Sequence, residues 1–142
     1  DPHQPGTLYL LPWGGGLVEL KNNELSKVYD PTNSTLEYIP GSVDPATGRG
    51  DTRLGGVAFD REGQLWVSNY GASRPISCRK ADGSWESYSL GAFTEIIDMV
   101  VDNSGNKWVR SRSGGVVALN RDNTQFKNVS TPEGSGGLPS PI

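Results

Sequence analysis

The sequence predicts an all-β fold built from repeated antiparallel units, and three observations support this. The segment from Leu54 to Val67 recurs as Ile96 to Val109, with key residues displaced by a constant 42 positions. The chain has 19 glycines and 10 prolines, which favours many turns without reaching the composition of a disordered chain. No segment carries sustained helical periodicity. Because a four-stranded propeller blade occupies about 40–45 residues, the predicted fold is a partial β-propeller of about three four-stranded antiparallel blades.

The repeat has a physical interpretation in strands and turns. The residues that recur in order are Asp60, Gly63, Trp66 and Val67 in one copy and Asp102, Gly105, Trp108 and Val109 in the next. An aspartate can accept hydrogen bonds from turn amides, and the glycine supplies the positive φ that closes the turn. We therefore interpret both aspartates as turn residues. Each tryptophan is predicted to lie wedged between neighbouring blades, with Tyr9 in the matching place of the first unit.

The repeat also predicts where the units begin and end. Gly15–Leu20 resembles Gly114–Leu119 at an offset that exceeds two periods by 15 residues, which indicates an insertion in the first unit. The predicted organisation is a flexible leader (1–6), an incomplete first blade without its innermost strand (7–39), an inserted loop (40–53), a second blade (54–95), a third blade (96–137) and the start of a further unit (138–142). We expect the two ends to expose blade faces that allow self-association.

Composition excludes several classes of function. The net charge is −3 without long runs of one sign, which argues against a nucleic-acid or anionic-membrane binder. No apolar run is long enough to span a bilayer, so no membrane insertion by this segment is expected. The single cysteine, Cys78, cannot form an intrachain disulfide or a multi-cysteine metal site. No cofactor or metal is predicted.

The pattern D-x-x-G-x-x-W-V, together with Leu138-Pro139-Ser140, resembles the two-component regulator propeller repeat of bacterial proteins, notably from Bacteroidetes. Two groups of proteins carry this repeat. One is PorZ-like surface proteins of type IX secretion, linked to the attachment of anionic lipopolysaccharide. The other is the periplasmic glycan-sensing half of hybrid two-component signalling proteins.

The residues between the repeat signatures favour the first group. Ser68-Asn69-Tyr70-Gly71 replaces the Gly-Thr that usually follows Trp-Val in the sensors, and the Ala81–Trp85 turn is similar to the PorZ-like form. The resemblance implies an extracytoplasmic location, in the periplasm or at the outer-membrane surface. It also implies protein partners of a surface or signalling complex, a poly- or oligosaccharide ligand, and no enzymatic activity of the module itself.

Catalytic and metal-binding alternatives are weaker than structural ones. Asp60 and Asp102 could be paired carboxylates of a glycosidase, but equivalent residues of successive blades should lie too far apart to flank one bond. Asp102–Asn106 lacks the closing glutamate of an EF-hand loop. His3, the single histidine, has no ligand partner nearby in sequence, and Cys78 lacks a nearby base.

The binding hypothesis depends on aromatic and cationic residues at the end of the blades where loops cluster. Aromatic rings there could stack on sugars, and guanidinium groups could pair with anionic groups. Ordinary packing between blades and solvated strand ends are the alternatives. The predicted binding residues are Trp13, Tyr70, Arg74, Arg110 and Arg112.

Overall fold

The computed structural model describes residues 1–130, which form three antiparallel sheets without any helix in that range. The first sheet contains β1 (Thr7–Leu10), β2 (Leu17–Lys21) and β3 (Glu24–Tyr29). The second contains β4 (Leu54–Phe59), β5 (Leu65–Asn69), β6 (Ile76–Arg79) and β7 (Trp85–Tyr88). The third contains β8 (Ile96–Val101), β9 (Lys107–Ser111), β10 (Gly115–Leu119) and β11 (Phe126–Asn128).

Each sheet pairs its strands in chain order, so each is one meander and corresponds to one blade. The predicted all-β, propeller-like fold is confirmed, with three strands in the first blade and four in the others. The predicted start of a further unit at 138–142, with Leu138-Pro139-Ser140, lies outside the described residues.

The first copy of the repeated turn is organised by one carboxylate. Asp60 accepts the backbone N–H of Gln64 at 2.8 Å and its side-chain amide at 2.9 Å. It also accepts the indole N–H of Trp66 at 2.8 Å. Gly63 has a φ of 77°, which a side chain would strain. The spacing between aspartate and tryptophan therefore encodes a hydrogen bond as well as a turn.

The second copy repeats this arrangement at its own positions. Asp102 accepts the backbone N–H of Asn106 at 2.9 Å and the indole N–H of Trp108 at 2.9 Å, and Gly105 has a φ of 86°. The bonds from Trp108 and Asn106 hold the pKa of Asp102 well below its usual range. Both carboxylates therefore accept hydrogen bonds within their own turns, which agrees with their interpretation as turn residues.

The second blade lies between the other two. All five residues of β5 are buried, whereas β1 and β9 alternate between buried and exposed residues. One apolar cluster joins Tyr9 to Leu65 and Val67 between the first and second blades. A second cluster joins Trp66 to Val109 between the second and third blades. The core therefore consists of two layers, each formed where neighbouring blades meet.

Trp66 lies wedged between two blades, whereas Trp108 occupies the equivalent place in the third blade without a covering blade among residues 1–130. Trp66 is 4% exposed, and the ammonium of Lys107 lies 4.4 Å from its ring centroid. Trp108 is 37% exposed because it points away from the second blade, to a side that no described residue covers. Tyr9 faces the second blade as Trp66 faces the third, which agrees with its predicted equivalence.

Gly55 allows the second and third blades to approach closely at their first strands. A Cβ placed on Gly55 would lie 2.7 Å from the carbonyl oxygen of Ile96 and 2.7 Å from the carbonyl carbon of Ile97. Real Cβ atoms do not approach backbone atoms so closely, so glycine is required for this contact. The starts of β4 and β8 therefore lie side by side.

The junction between the first and second blades contains a buried carboxylate. Glu19 is nearly inaccessible and accepts the hydroxyls of Tyr9 at 3.0 Å, Ser26 at 2.7 Å and Tyr29 at 3.3 Å. Burial alone would raise the pKa of Glu19, but the bonds from Ser26 and Tyr9 outweigh it and lower the pKa. The guanidinium of Arg79 from the second blade lies 5.5 Å from the Tyr29 ring.

The segments before and between the blades also make defined contacts. In the leader (1–6), the His3 ring lies 3.0 Å from the carbonyl oxygen of Asp60 and packs against Phe59. The inserted loop (40–53) closes on itself through the bond from Ile39 N–H to the Asp51 carbonyl, at 2.7 Å. Its end then pairs with the loop after β1, because Thr52 N–H donates to the carbonyl of Gly14 at 3.0 Å.

Candidate functional site

An open groove of about 660 Å³ lies where the loops of all three blades meet. It is bordered by the starts of β4 and β8 and by the residues that follow β1, β5 and β9. We call it the loop-face groove, and its lining residues are Trp13, Arg53, Leu54, Gly55, Tyr70, Ile96, Ile97 and Arg112. Its floor is therefore apolar and its walls carry two aromatic rings and two guanidinium groups.

The first wall is built by the inserted loop. Gly16 N–H donates to the Thr52 carbonyl at 3.1 Å, and this pairing brings Arg53 beside the loop that carries Trp13. The Arg53 guanidinium lies 4.5 Å from the Trp13 ring centroid and donates to Asp51 at 3.2 Å. Trp13 remains 84% exposed, so most of its surface is available for a further contact.

The second wall is formed by Tyr70 and Arg112. Arg112 donates from Nη1 to the Tyr70 hydroxyl at 3.2 Å, and this bond raises the pKa of the guanidinium, which stays fully charged. Tyr70 N–H donates to the Arg53 carbonyl at 2.8 Å. The buried Asn69 side chain donates to the same carbonyl at 3.0 Å. The two walls are thus fixed to each other through the backbone of Arg53.

The groove has the chemistry of a recognition site for an anionic ligand with an apolar or planar face. Guanidinium groups pair with carboxylates and phosphates, and aromatic rings stack on flat or apolar surfaces. Arg53 Nε is buried and has no hydrogen-bond partner among residues 1–130. The groove lining contains no aspartate, glutamate, histidine or cysteine that could act as a general acid, base or nucleophile.

The structure brings together three of the five predicted binding residues. Trp13, Tyr70 and Arg112 line the groove. Arg74 does not, because its guanidinium donates to the Ser87 hydroxyl at 3.0 Å on the outer strands. Arg110 lies on the exposed side of β9, opposite Asp98 and Val116 in the sheet.

Arg53 was not predicted from the sequence. It is the last residue of the inserted loop, and the position 42 residues later is Glu95, so the repeat does not mark it as a cationic site. Its position depends on the pairing of Thr52 with Gly14 and Gly16, a long-range contact that no local pattern indicates. The one available signal was the insertion itself, since long irregular loops often carry function.

Outside the groove, the described residues provide neither an accessible thiol nor a cluster of metal ligands. Cys78 is buried, and burial together with the charge of Asp60 raises the pKa of its thiol to about 12. It is therefore a neutral packing group at pH 7. Within residues 1–130 no three His, Cys, Asp or Glu side chains cluster in a way that could hold a metal ion.

Comparison with protein-family models and with curated proteins finds no match. Solved structures similar to this one include PorZ, a surface component of the type IX secretion system of Porphyromonas gingivalis. The sequence identity is 26%, the TM-score is 0.68, and the alignment covers 85% of this chain and 17% of the PorZ chain. The extracellular domain of the BT4673 hybrid two component system from B. thetaiotaomicron is also similar. It has 12% identity and a TM-score of 0.59, with 92% and 15% of the two chains covered.

A further similar structure is YCF48 bound to the D1 peptide, with 10% identity, a TM-score of 0.59 and coverage of 89% and 38%. The low identities of YCF48 and BT4673 make them evidence for the fold alone. This chain spans less than a fifth of the length of PorZ and of the BT4673 domain. The resemblance to PorZ-like and two-component propeller proteins, which the repeat predicted, is confirmed.

No helix in residues 1–130 combines the length and hydropathy that crossing a bilayer requires.

Proposed function

We propose that this chain is a non-catalytic, extracytoplasmic propeller module that recognises a protein or glycan through the loop-face groove. The observation that carries the proposal is the convergence of Trp13, Arg53, Tyr70 and Arg112 over an apolar floor. Two cationic groups and two rings suit an acidic oligosaccharide, whose sugar rings stack and whose carboxylates or phosphates pair with arginine.

The similarity to PorZ supports a PorZ-like role at the cell surface, in type IX secretion and lipopolysaccharide attachment. Among the three similar structures described above, PorZ has the highest TM-score and the highest sequence identity. In this role the groove would hold a protein or polysaccharide of the secretion complex while the blades serve as a rigid frame.

A second candidate is the glycan-sensing domain of a hybrid two-component protein. The alignment with the BT4673 extracellular domain covers 92% of this chain at 12% identity, which shows the same fold. The aromatic rings and guanidinium groups of the groove also suit an oligosaccharide, which favours this alternative. A sensor should select one oligosaccharide, whereas a surface component should accept longer acidic polymers of varied length. Affinity measured against chain length separates the two roles.

The test is isothermal titration calorimetry with a uronic-acid oligosaccharide, a phosphorylated oligosaccharide and a neutral oligosaccharide of equal length. We expect binding of an acidic oligosaccharide and no binding of the neutral one. Arg112→Gln should weaken binding about tenfold or more, since a hydrogen bond to a charged group contributes ~1.5–3 kcal/mol.

Arg110→Gln is the matched control. It removes the same charge two residues earlier on the chain but outside the groove, so affinity should stay unchanged. Equal loss in both variants would indicate a general effect of net charge and contradict the groove assignment. Turnover of an acidic oligosaccharide by the protein would contradict the non-catalytic role.

A further inference from the structure

Three residues of the loop-face groove occupy one repeated position of the blades. Trp13, Tyr70 and Arg112 each lie four residues after the aromatic residue that the repeat places in the second strand of the blade. They belong to the first, second and third blades respectively, and the second blade lies between the other two. A ligand that crosses the groove therefore meets an indole, a phenol and a guanidinium in that order.

Arg53 adds a second guanidinium from the inserted loop, but its charge is balanced by a neighbouring carboxylate. Its Nη2 lies 3.2 Å from Oδ2 of Asp51 in an ion pair. The same carboxylate lies against the loop that carries Trp13, since a Cβ on Gly14 would be 3.2 Å from Asp51 Oδ1. The wall that carries Trp13 therefore has one positive and one negative group and no net charge.

The Arg53 side chain is also largely occupied by contacts within the protein. Its guanidinium carbon lies 4.5 Å from the Trp13 ring centroid, and its Nε is buried away from solvent. The backbone of Arg53 is fixed as well, because its carbonyl accepts N–H groups from Asn69 and Tyr70. Arg53 therefore holds the indole of Trp13 from one side, while most of that ring stays exposed.

Arg112 has different surroundings. It is exposed, and its Nη1 donates to the uncharged hydroxyl of Tyr70 at 3.2 Å. The Tyr70 bond and the more distant charge of Glu95 raise the pKa of the guanidinium, but no carboxylate among residues 1–130 forms an ion pair with it. The second wall therefore offers a positive charge that has no ion-pair partner and is open to a ligand anion.

We propose that the groove selects an oligosaccharide that combines an acidic sugar with a neutral one over an oligosaccharide that is acidic throughout. This inference rests on the proposed function. Arg112 pairs with the anionic group, and the exposed part of Trp13 stacks on the neutral sugar. Arg53 is a positioning residue that orients Trp13 through the cation–π contact and does not bind the ligand itself. Asp51 disfavours a second anion at its wall.

Isothermal titration calorimetry with three tetrasaccharides tests the ligand class. The probes are a hyaluronan tetrasaccharide, in which glucuronic acid alternates with N-acetylglucosamine, a tetramer of galacturonic acid and a neutral tetramer of N-acetylglucosamine. We expect the alternating probe to bind about three- to tenfold more tightly than the fully acidic one, and the neutral probe not to bind. Equal or tighter binding of the galacturonic acid tetramer would overturn the proposal. If neither acidic probe binds, the proposed function fails and this inference fails with it.

A double-mutant cycle with the alternating probe tests the different roles of the two arginines. Arg53→Gln is combined with Asp51→Asn, so that the net charge of the wall does not change, and we call this pair of substitutions the neutral-wall variant. It should weaken binding about two- to fivefold in the parent chain, and it should have no effect in a Trp13→Ala background. Arg112→Gln should weaken binding about tenfold in both backgrounds.

The salt dependence of binding provides an independent measurement. Raising the NaCl concentration from ~0.1 M to ~1 M shortens the Debye length from about 10 Å to about 3 Å. Binding by the parent and by the neutral-wall variant should weaken by the same factor, whereas binding by Arg112→Gln should barely change.

Two results would show that Arg53 binds the anion, and either would overturn the proposal. One is a further loss of affinity from the neutral-wall variant in the Trp13→Ala background, and the other is a reduced salt dependence of that variant. Both results would leave the proposed function intact, because an acidic oligosaccharide would still bind in the groove. Trp13 and Arg112 are exposed, so their replacement should leave the far-UV circular dichroism spectrum unchanged.

Discussion

The repeated tryptophan allows a paired test of the blade junction, because the same motif places one ring inside a junction and the other outside. Trp66→Ala removes a ring that is 4% exposed and packs against Tyr88 at 5.9 Å and beneath the Lys107 ammonium. Truncating a buried aromatic residue costs ~3–5 kcal/mol. We expect a loss in this range for the free energy of unfolding, with the lost cation–π contact included.

Trp108→Ala should cost much less. The ring is 37% exposed and packs mainly on its own sheet, so we expect a loss of ~1–2 kcal/mol. Both variants lose the same indole bond to a turn aspartate, and the difference between them therefore isolates burial in the junction. The assay is urea unfolding followed by far-UV circular dichroism, at concentrations low enough to keep the protein monomeric.

Equal losses in the two variants would refute this reasoning. A small loss for Trp66→Ala would mean that the second and third blades do not share a packed core. Trp66→Phe serves as the control, since it keeps a smaller aromatic ring and removes the bond to Asp60, whose Oδ2 still accepts the Gln64 amide. We expect Trp66→Phe to cost ~1–2 kcal/mol.

Three further predictions follow from buried groups and close contacts. The lowered pKa of Glu19 adds stability that is present above its unfolded pKa of about 4.3 and is lost as the pH falls through its lower folded pKa. Thermal unfolding from pH 7 to pH 3 should therefore show a smaller acid-induced loss for Glu19→Gln than for the parent, and equal losses would contradict the assignment. Cys78, buried and with a thiol pKa of about 12, should react with a maleimide at neutral pH only after urea unfolds the chain, and rapid labelling of the folded protein would show that it is accessible. Gly55→Ala should destabilise by ~1–3 kcal/mol because its Cβ would overlap the backbone of Ile96 and Ile97, and an unchanged urea midpoint would show that β4 and β8 are further apart.

The blades could be predicted well from the sequence because the residue patterns that mark them are local. The 42-residue spacing of Asp60 and Trp66 to their counterparts identified the turns, and the structure adds the indole bond that the same spacing serves. The second strands of the later blades extend to Asn69 and Ser111, beyond the repeated segments that end at Val67 and Val109. Polar residues there are buried by neighbouring blades, an environment that local polarity does not reveal.

The groove was only partly predictable because it depends on contacts between distant segments. Trp13, Tyr70 and Arg112 were found from their places after second strands, where propeller loops gather. The same rule also selected Arg110, which fails because alternation along β9 turns its side chain to the opposite side of the sheet from the core. Arg53 was missed because it reaches Trp13 only through a long-range pairing of Thr52 with the loop after β1.

The different residues at equivalent junction positions have a consequence for folding. Glu19 at the first junction faces a blade that carries Arg79, whereas the corresponding position in the third blade is Leu119. If the first blade docked on the third by mistake, the Tyr29 ring would face an aliphatic side chain and lose its contact with the Arg79 guanidinium. Chains made of similar repeats are prone to such misassembly. The variation between otherwise equivalent blades thus favours docking of the first blade on the second over docking on the third.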